Sequence, residues 1–353
     1  WNDADLSLFM LQIVRSLEVE HEDDSEIAKF LLKRASLEPK YLGLQLFWQL
    51  KSLFDIPWMH HRVLWMNAAL VAFSDLHEKF LFSFTFTESL FRICKEKKIK
   101  QNKIGDELPM LPVDAYTQLP IDPKLIVKDY VISECFFADS SKRPLILSFK
   151  PADPFCNDNI KMMVKVNDDL RQDMITLQII DVMDELWKRE GMNMRMKIYS
   201  VLATGDNQGI IEIVPKSVTI SSIQKKKGKL RGVRQNDTIS EWLEKAAKDG
   251  IRKNEQIQNF MYSMAGYIVA TYVLGIGDRH CSNMMIQEDG HFFHIDFGHF
   301  LGHFKTFIGI DRESNMFYFS DAFVHVLGGV ESQTYKEFEE LCCKAFCIIR
   351  KNN

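Results

Sequence analysis

The apolar period changes twice along this chain, and each change restricts the fold that can follow. Residues 1 to about 56 read as helices alone, because Leu6, Phe9, Met10, Ile13, Val14 and Leu17 recur at helical spacing. Ile27, Phe30 and Leu31 continue the pattern behind a cap signal at Asp24-Ser25. A third helix follows Pro39, with Leu42, Leu46, Phe47 and Leu50 on its apolar side. Residues 57–95 are helical too, around Val63 to Phe73 and Leu76 to Ile93, with Ser74-Asp75 capping the second stretch. From about 126 the pattern shortens to strands, expected at 129–137, 144–149, 160–166, 196–203 and 209–214. One helix interrupts them from Asp168 to about Lys188. It buries Leu170, Met174, Leu177, Ile180 and Met183 and carries Asp168 and Asp169 in its first turn. After Val214-Pro215 the chain turns helical again, apart from a hairpin at 284–296 turned by Glu288-Asp289-Gly290.

A strand-rich lobe with one inserted helix, followed by a helix-rich lobe, indicates an α+β, bilobal fold. The leading helices suggest the end of an all-α helical-repeat segment, with a plain bundle as the alternative. The expected division is 1–56 for the helical accessory segment, 57–214 for the N-lobe with its leading helices and linker, and 215–353 for the C-lobe. In the linker, Lys95, Lys97, Lys98, Lys100 and Lys103 read as a solvated loop. Pro109, Pro112, Pro120 and Pro123 are expected to keep the following stretch irregular.

Composition bounds the function classes. Lys+Arg number 44 against 48 Asp+Glu, a formal net charge of −4, and 46% of residues are hydrophobic. That excludes a disordered tail, a collagen-like repeat and a generally basic nucleic-acid binder, so an anionic partner must be met by a local patch. The seven cysteines are scattered without a CxxC pair, which fits a reducing, cytoplasmic compartment. The chain opens at Trp1 and is expected to be a piece of a longer protein. Phe260 to Gly277 carries no charge and approaches the length of a membrane span. Its Ser263, Thr271, tyrosines and glycines favour a helix buried inside a lobe.

The sharpest chemical signal is Gly277-Asp278-Arg279-His280-Cys281-Ser282-Asn283, with Asp296-Phe297-Gly298 beginning thirteen residues beyond Asn283. Phosphoryl transfer needs a divalent metal on the phosphates and a group to orient the attacking hydroxyl. Magnesium takes hard oxygen ligands, typically one or two carboxylates beside phosphate oxygens. A loop offering Asp-x-x-x-x-Asn, then a hairpin, then Asp-Phe-Gly supplies that set, at the spacing of protein-kinase catalytic and metal loops. A kinase also needs a lysine on a small-lobe strand held by a carboxylate. Lys165 sits on the strand 160–166, and Asp173 could reach back to it. No G-x-G-x-x-G precedes Lys165. Ala138-Asp139-Ser140-Ser141-Lys142-Arg143-Pro144 stands in that place, and its backbone N–H groups, hydroxyls and lysine could hold phosphate. This departs from an ordinary protein kinase.

These residues reach a known family. The chain resembles phosphoinositide 3-kinase catalytic subunits, most of all class I. The resemblance rests on Ser141-Lys142-Arg143-Pro144-Leu145, Asp168-Asp169-Leu170-Arg171-Gln172-Asp173, Gly209-Ile210-Ile211-Glu212-Ile213-Val214, Gly277-Asp278-Arg279-His280 and Phe293-His294-Ile295-Asp296-Phe297-Gly298-His299. Phe30-Leu31-Leu32-Lys33-Arg34-Ala35 and Phe47-Trp48-Gln49-Leu50-Lys51-Ser52 look like the end of the family's helical domain, and the chain is expected to stop short of the family's closing helices. The resemblance implies a protein-kinase-like phosphoinositide 3-/4-kinase fold. It also implies ATP-dependent phosphorylation of the inositol 3-hydroxyl of phosphatidylinositol or its phosphates.

Roles follow from the resemblance position by position. Ser140 and Lys142 would touch ATP phosphates, and Lys165 would bind on the α-phosphate side. Asp173 and Tyr199 would line the inner pocket. Glu212 and Val214 would offer hinge bonds to adenine, between Ile211, Met285 and Ile295. Asn283 and Asp296 would hold Mg2+, with Mn2+ as the alternative ion. His280 is the family's favoured base, whereas kinase spacing alone selects Asp278; both are kept. His299 would stabilise the transferring phosphate. Lys305 and Arg312 would meet the lipid headgroup, with Ser314 and Met316 standing where the family commonly has a second basic residue and a proline.

The implied partners are a phosphoinositide headgroup, an anionic membrane surface to which a cytoplasmic enzyme is peripherally recruited, and a regulatory subunit, with no nucleic acid. Lys225-Lys226-Lys227-Gly228-Lys229-Leu230-Arg231 reads first as a solvated loop and second as a membrane-facing patch. Six of the ten histidines fall between 280 and 325, but their spacing matches no zinc motif; His291 and His325 read as surface or packing residues and His294 as a buried hydrogen-bonder. Two other functions stay open: a protein Ser/Thr kinase of the target-of-rapamycin type, and an inactive scaffold. Gly298-His299-Phe300-Leu301-Gly302 favours lipid over protein, and the joint presence of Lys165, Asp278, Asn283 and Asp296 favours activity.

Overall fold

The structure, a computed structural model, describes residues 1–72, 77–96, 104–108, 113, 116–226, 236–247, 250–299, 301, 306–307, 310–311 and 317–352. The chain forms two compact units: residues 1–178 with 199–215, and residues 179–198 with 216–353.

The first unit opens with helices α1 (Asp3–Ser16), α2 (Glu26–Leu37), α3 (Leu44–Ser52), α4 (His60–Ala72) and α5 (His77–Lys95). The Asn2 side chain caps α1 by accepting from the Asp5 amide at 2.7 Å, and Ser25 caps α2 by accepting from the Ala28 amide at 3.3 Å. Each satisfies an amide that the first turn leaves unpaired. The expected Ser74-Asp75 cap lies outside the described residues. Leu6, Met10, Val14, Leu31, Trp48, Phe80 and Phe91 are buried in one continuous core with the sheet residues Val127, Leu147, Phe149 and Val164.

After a single turn, α6 (Ile104–Glu107), come the strands β1 (Thr117–Leu119), β2 (Asp122–Tyr130), β3 (Phe136–Phe137), β4 (Leu145–Pro151), β5 (Ile160–Val166), β6 (Val201–Gly205) and β7 (Gln208–Ile213). Among the described residues they make one antiparallel sheet in the order β1-β2-β4-β5-β7-β6, with β3 on β4. The β1–β2 hairpin occupies a stretch where the prolines predict irregular chain. Pro123 stands at the start of β2, where a missing N–H costs little. Helix α7 (Arg171–Arg189) begins three residues later than expected, so Asp168 and Asp169 lie in the turn before it. Gly209 of β7 admits no side chain: a Cβ there would lie 2.4 Å from the Leu202 carbonyl oxygen and 2.8 Å from Leu170. That close approach lets β6, β7 and the entry to α7 pack in contact.

The second unit adds β8 (Ser217–Thr219), α8 (Ile220–Lys226), α9 (Thr238–Ala246), α10 (Gly250–Leu274), β9 (Met284–Gln287), β10 (Phe292–His294), a two-residue ladder β11 (Thr306–Phe307) with β12 (Ile310–Asp311), α11 (Asp321–Val326) and α12 (Gln333–Lys351). Strands β10, β9 and β8 form a small antiparallel sheet. The uncharged stretch at 260–277 falls mainly in α10, with Phe260, Met264, Ala265, Tyr267 and Ala270 fully buried. No helix among the described residues is long and apolar enough to cross a membrane.

Helix α10 holds the β9–β10 hairpin through a polar stripe spaced three or four residues apart, one helical face. Gln256 donates to the Glu288 carbonyl at 2.6 Å, Asn259 donates to the Asp289 carbonyl at 2.8 Å, and Ser263 accepts from the Phe292 amide at 2.8 Å. Tyr267 stacks on His294, and Thr271 lies 3.3 Å from His294 Nδ1. At the turn, Gly290 has φ +95° and packs so closely that a Cβ would lie 2.1 Å from the Gln256 carbonyl oxygen. Gly191, after α7, also has positive φ but has open space around its Cβ direction. Gly290→Ala should therefore lose about 3 kcal/mol of stability and Gly191→Ala about 1 kcal/mol. Equal shifts in denaturant midpoint would rule out the Gln256 contact as the cause.

Candidate active site

In the first unit, the phosphate-loop candidates lie between β3 and β4. The loop is closed by Ala138 N–H to the Pro144 carbonyl at 2.9 Å and Arg143 N–H to the Ser140 carbonyl at 3.0 Å. Arg143 takes φ 47° and lays its guanidinium 3.8 Å from the Phe137 ring centre. Ser140 and Lys142 are exposed at its tip.

Lys165, on β5, faces Gly209 across the ladder and is half-buried. The carboxylate it reaches is Asp168, Nζ to Oδ2 3.0 Å, rather than Asp173. Asp173 sits half-buried in the first turn of α7. The reason is local. Asn167 takes a left-handed φ of 61°, which folds the chain back so that Asp168, three residues on, meets the strand lysine directly. Lys142 Nζ meets the other oxygen of Asp168 at 2.5 Å. Burial pushes the Asp168 pKa up, but bonds and charges from Lys142 and Lys165 outweigh it and hold the group below the ordinary carboxylate value.

Tyr199 is buried, and Ile211 is half-buried on β7 opposite Met163 and Val201. The Glu212 amide donates to the Ser200 carbonyl at 2.9 Å, and its side chain accepts from the Ser200 amide at 2.8 Å. With its N–H spent, Glu212 has its carbonyl oxygen to offer a hinge ligand. Val214 follows, buried, at the end of this unit.

In the second unit, the structure brings the catalytic-loop and Asp-Phe-Gly candidates together through their backbones. The Asn283 amide donates to the His280 carbonyl at 2.8 Å, Ile295 donates to the Asn283 carbonyl at 3.0 Å, and Gly277 donates to the His299 carbonyl at 3.0 Å. Asn283 and Asp296 are thus carried on segments that touch. Asn283 is buried, and its Nδ2 donates to the Asp278 carbonyl at 3.0 Å. With Nδ2 committed there, Oδ1 is the atom left for a cation. Asp296 is exposed, with φ 60°, and its Oδ1 lies beside Gly298. An amide oxygen and a carboxylate form a hard-oxygen donor pair, which suits Mg2+. His280 is exposed; its Nδ1 accepts from the Ser282 amide at 3.2 Å, and its Nε2 lies 3.9 Å from Asp278 Oδ1. Met285 pairs with Phe293 and Thr219 in the small sheet, and Ile295 is half-buried beside it. Lys305 and Arg312 lie outside the described residues, as do residues 227–231 of the second basic cluster.

Three of the other histidines have ordinary partners. His291 bonds Asp289 at 2.9 Å, and His325 bonds Ser240 at 3.0 Å. His294 is fully buried; burial first, then the charge of Arg279, holds its pKa well below 6.5, so it is neutral.

Sequence reasoning did not single out Arg279. Its side chain is buried, and it donates to the carbonyls of Gly277 at 2.8 Å, Ile295 at 2.9 Å and Asn283 at 3.5 Å, and to that of Asp296. The rigid fork of five donors suits this fan of acceptors, which a lysine cannot match. The sequence carries no signal for this role, because the partners of Arg279 are main-chain carbonyls. Asp168 was missed for a different reason: it reads as helix first-turn until the start of α7 is known.

Residues 159–353 match the model of the phosphatidylinositol 3- and 4-kinase family, and residues 1–81 match the accessory (PIK) domain of the phosphoinositide 3-kinase family. The chain belongs to the phosphatidylinositol 3- and 4-kinase family. It is 37% identical over 362 residues to phosphatidylinositol 3-kinase 3 of Dictyostelium discoideum, covering 99% of this chain and 21% of that protein. It is 35% identical over 364 residues to human phosphatidylinositol 4-phosphate 3-kinase C2 domain-containing subunit beta, covering 99% of this chain and 22% of that protein. The chain thus spans about a fifth of the length of these relatives. The helical segment, the antiparallel sheet and the helix-rich second unit agree with the α+β kinase fold that the sequence implies.

If Arg279 ties the two loops, Arg279→Lys leaves at least two buried carbonyls unpaired and costs about 2 kcal/mol or more. Amide exchange should quicken at Ile295 and Gly277. Unchanged exchange at both would show that the loops hold together without the guanidinium.

Proposed function

We propose that this chain carries the catalytic machinery of a lipid kinase that transfers the γ-phosphate of ATP to the inositol 3-hydroxyl of phosphatidylinositol or a phosphorylated derivative. The observation that carries this reading is the junction of the Asp278–Asn283 loop with the Asp296-Phe297-Gly298 segment, joined by the Ile295–Asn283 backbone bond, in a family member. Asn283 Oδ1 and the Asp296 carboxylate would hold magnesium. Held there, the ion would supply positive charge against the negative charge that builds on the transferring phosphate. Lys142 and Lys165 hold phosphate oxygens as point charges, and Glu212 and Val214 take the adenine edge, with Tyr199 and Asp173 lining the inner pocket. Asp278 or His280 accepts the hydroxyl proton. His299 steadies the moving phosphate, and Lys305 with Arg312 meets the headgroup phosphates.

Within this reading, residues 1–56 are the end of the accessory helical domain, 57–214 the N-lobe with its leader and 215–353 the C-lobe. The enzyme is recruited peripherally to anionic membranes from the cytoplasm and takes a regulatory subunit. The relatives named for 3-kinase activity support the position of transfer, and one is named for phosphatidylinositol 4-phosphate.

Labelled ATP with mixed phosphoinositide vesicles tests the proposal. The chain should label lipid at the 3-position, and Asp296→Asn should lower the rate by about a thousandfold. Label on protein instead of lipid, or none above the Asp296→Asn background, would defeat it. Lys305→Ala should slow turnover of bisphosphorylated lipid more than that of phosphatidylinositol. Equal losses on the two lipids would remove Lys305 from the headgroup site.

A further inference from the structure

Lys142 and Lys165 come from different segments, the loop after β3 and the strand β5, yet both end on one carboxylate. Lys142 Nζ lies 2.5 Å from Asp168 Oδ1, and Lys165 Nζ lies 3.0 Å from Asp168 Oδ2. We propose that Asp168 is a positioning residue: it fixes the spacing and direction of the two ammonium groups that grip the nucleotide phosphates. This rests on the function proposed above.

The carboxylate is itself well anchored. The Asp168 amide donates to the Asn207 carbonyl at 3.0 Å, in the β6–β7 turn. Asn167 before it is in the left-handed region, which commits the direction of the chain at that point. Lys165 is fixed at its root by the β5–β7 ladder, where it pairs with Gly209. Lys142 has no such root. It stands on an exposed loop tip, and its side chain is 52% exposed. A lysine is a point charge on a flexible stem, so a free Lys142 would sample many directions. The bond to Asp168 restricts it to the side of the loop where Lys165 already sits.

The pairing does not exhaust the lysines. Each ammonium has three N–H donors, and Asp168 takes one from each. The remaining donors suit phosphate oxygens, whose charge they meet as a matched pair. The trio carries a net charge of one positive unit, because Asp168 stays ionised at neutral pH. An exposed ion pair alone contributes little. Here one half-buried carboxylate takes two partners, and that sets geometry rather than stability.

The two effects of Asp168 on nucleotide have opposite signs, which makes the role testable. Its charge repels phosphate, while its geometry directs the lysines. Asp168→Asn removes the repulsion, so ATP and pyrophosphate should bind about threefold more tightly. It also frees the lysines, so kcat for lipid phosphorylation should fall about tenfold or more. Asp168→Glu, which keeps the charge, should return ATP affinity to the parent value and recover part of kcat. Lys142→Met should cost less in the Asp168→Asn background than in the parent, because Lys142 is already misdirected there.

A residue that only held the fold would lower kcat in proportion to the folded fraction, with ATP affinity unchanged. That result overturns the inference, as does an unchanged kcat in Asp168→Asn or strict additivity with Lys142→Met. A parent chain that binds ATP and labels lipid, with an indifferent Asp168→Asn variant, sinks this inference alone. A parent chain that neither binds ATP nor labels lipid sinks the proposed function, and the role of Asp168 falls with it.

Discussion

The buried guanidinium of Arg279 is the interaction that holds together the second unit's two loops, and the chemistry proposed for them depends on it. Two loops that belong to no sheet must be held side by side, and neither offers the other a ladder of hydrogen bonds. A single planar cation solves this by donating to Gly277, Asn283, Ile295 and Asp296 at once. Its cost is the burial of a charge, which is tolerable only when the donors are satisfied. The same charge explains part of the neutrality of His294, which packs nearby. The direct Ile295–Asn283 bond then completes a junction whose two arms cannot drift independently.

Behind that junction stands α10, which does two jobs with different faces. Its apolar residues, Phe260, Met264, Ala265 and Ala270 among them, fill the core. In its polar stripe, Gln256, Asn259 and Ser263 bond the hairpin backbone, and Thr271 meets the ring of His294. Buried polar side chains on a helix this apolar would be a liability without partners. Here each meets an atom of the hairpin, so the helix sets its register as well as its position. The loops proposed to carry the hard-oxygen ligands thereby inherit the rigidity of a long helix without being part of it.

Much of this was legible in residue order alone, but unevenly. The change from helical to strand spacing located the sheet, although the expected strand at 129–137 is broken by a turn at Ile132–Glu134 and that at 196–203 begins only at Val201; the spacing from Asp278 to Asn283 to Asp296 located the loops. Both are local patterns, written in a few adjacent residues. The β1–β2 hairpin was hidden because prolines usually break ladders, whereas Pro123 occupies a strand end. Asp168 was hidden by a three-residue error in where α7 begins, and the pairing of Lys165 turns on that boundary. Arg279 was hidden more deeply. Its partners are main-chain carbonyls of Gly277, Asn283, Ile295 and Asp296, and no side-chain code marks a carbonyl that lacks a ladder. The polar stripe of α10 was visible as an argument against a membrane span, yet its target could be read only from the packed structure.

Backbone strain marks several of the points where chemistry is proposed. Of eight described non-glycine residues with left-handed φ, four are Arg143, Asn167, Asp278 and Asp296; the others, Arg195, Asn207, Lys216 and Leu301, carry no proposed role. Arg143 adjoins the proposed phosphate lysine Lys142, Asn167 adjoins the positioning residue Asp168, and Asp278 and Asp296 are themselves the proposed proton and metal residues. Asp and Asn tolerate this region better than most side chains, but an arginine there has no such advantage. Such conformations persist only when the surroundings determine them fully. Those surroundings are on hand: the Ala138–Pro144 closure around Arg143, the Asn207 bond beside Asn167, and the Arg279 fan around Asp278 and Asp296. A left-handed residue turns the chain sharply within one peptide, and that is how a carboxylate at the end of a strand comes to face back across it. The fold thus spends stability at four points to aim charged groups that extended chain would have pointed elsewhere.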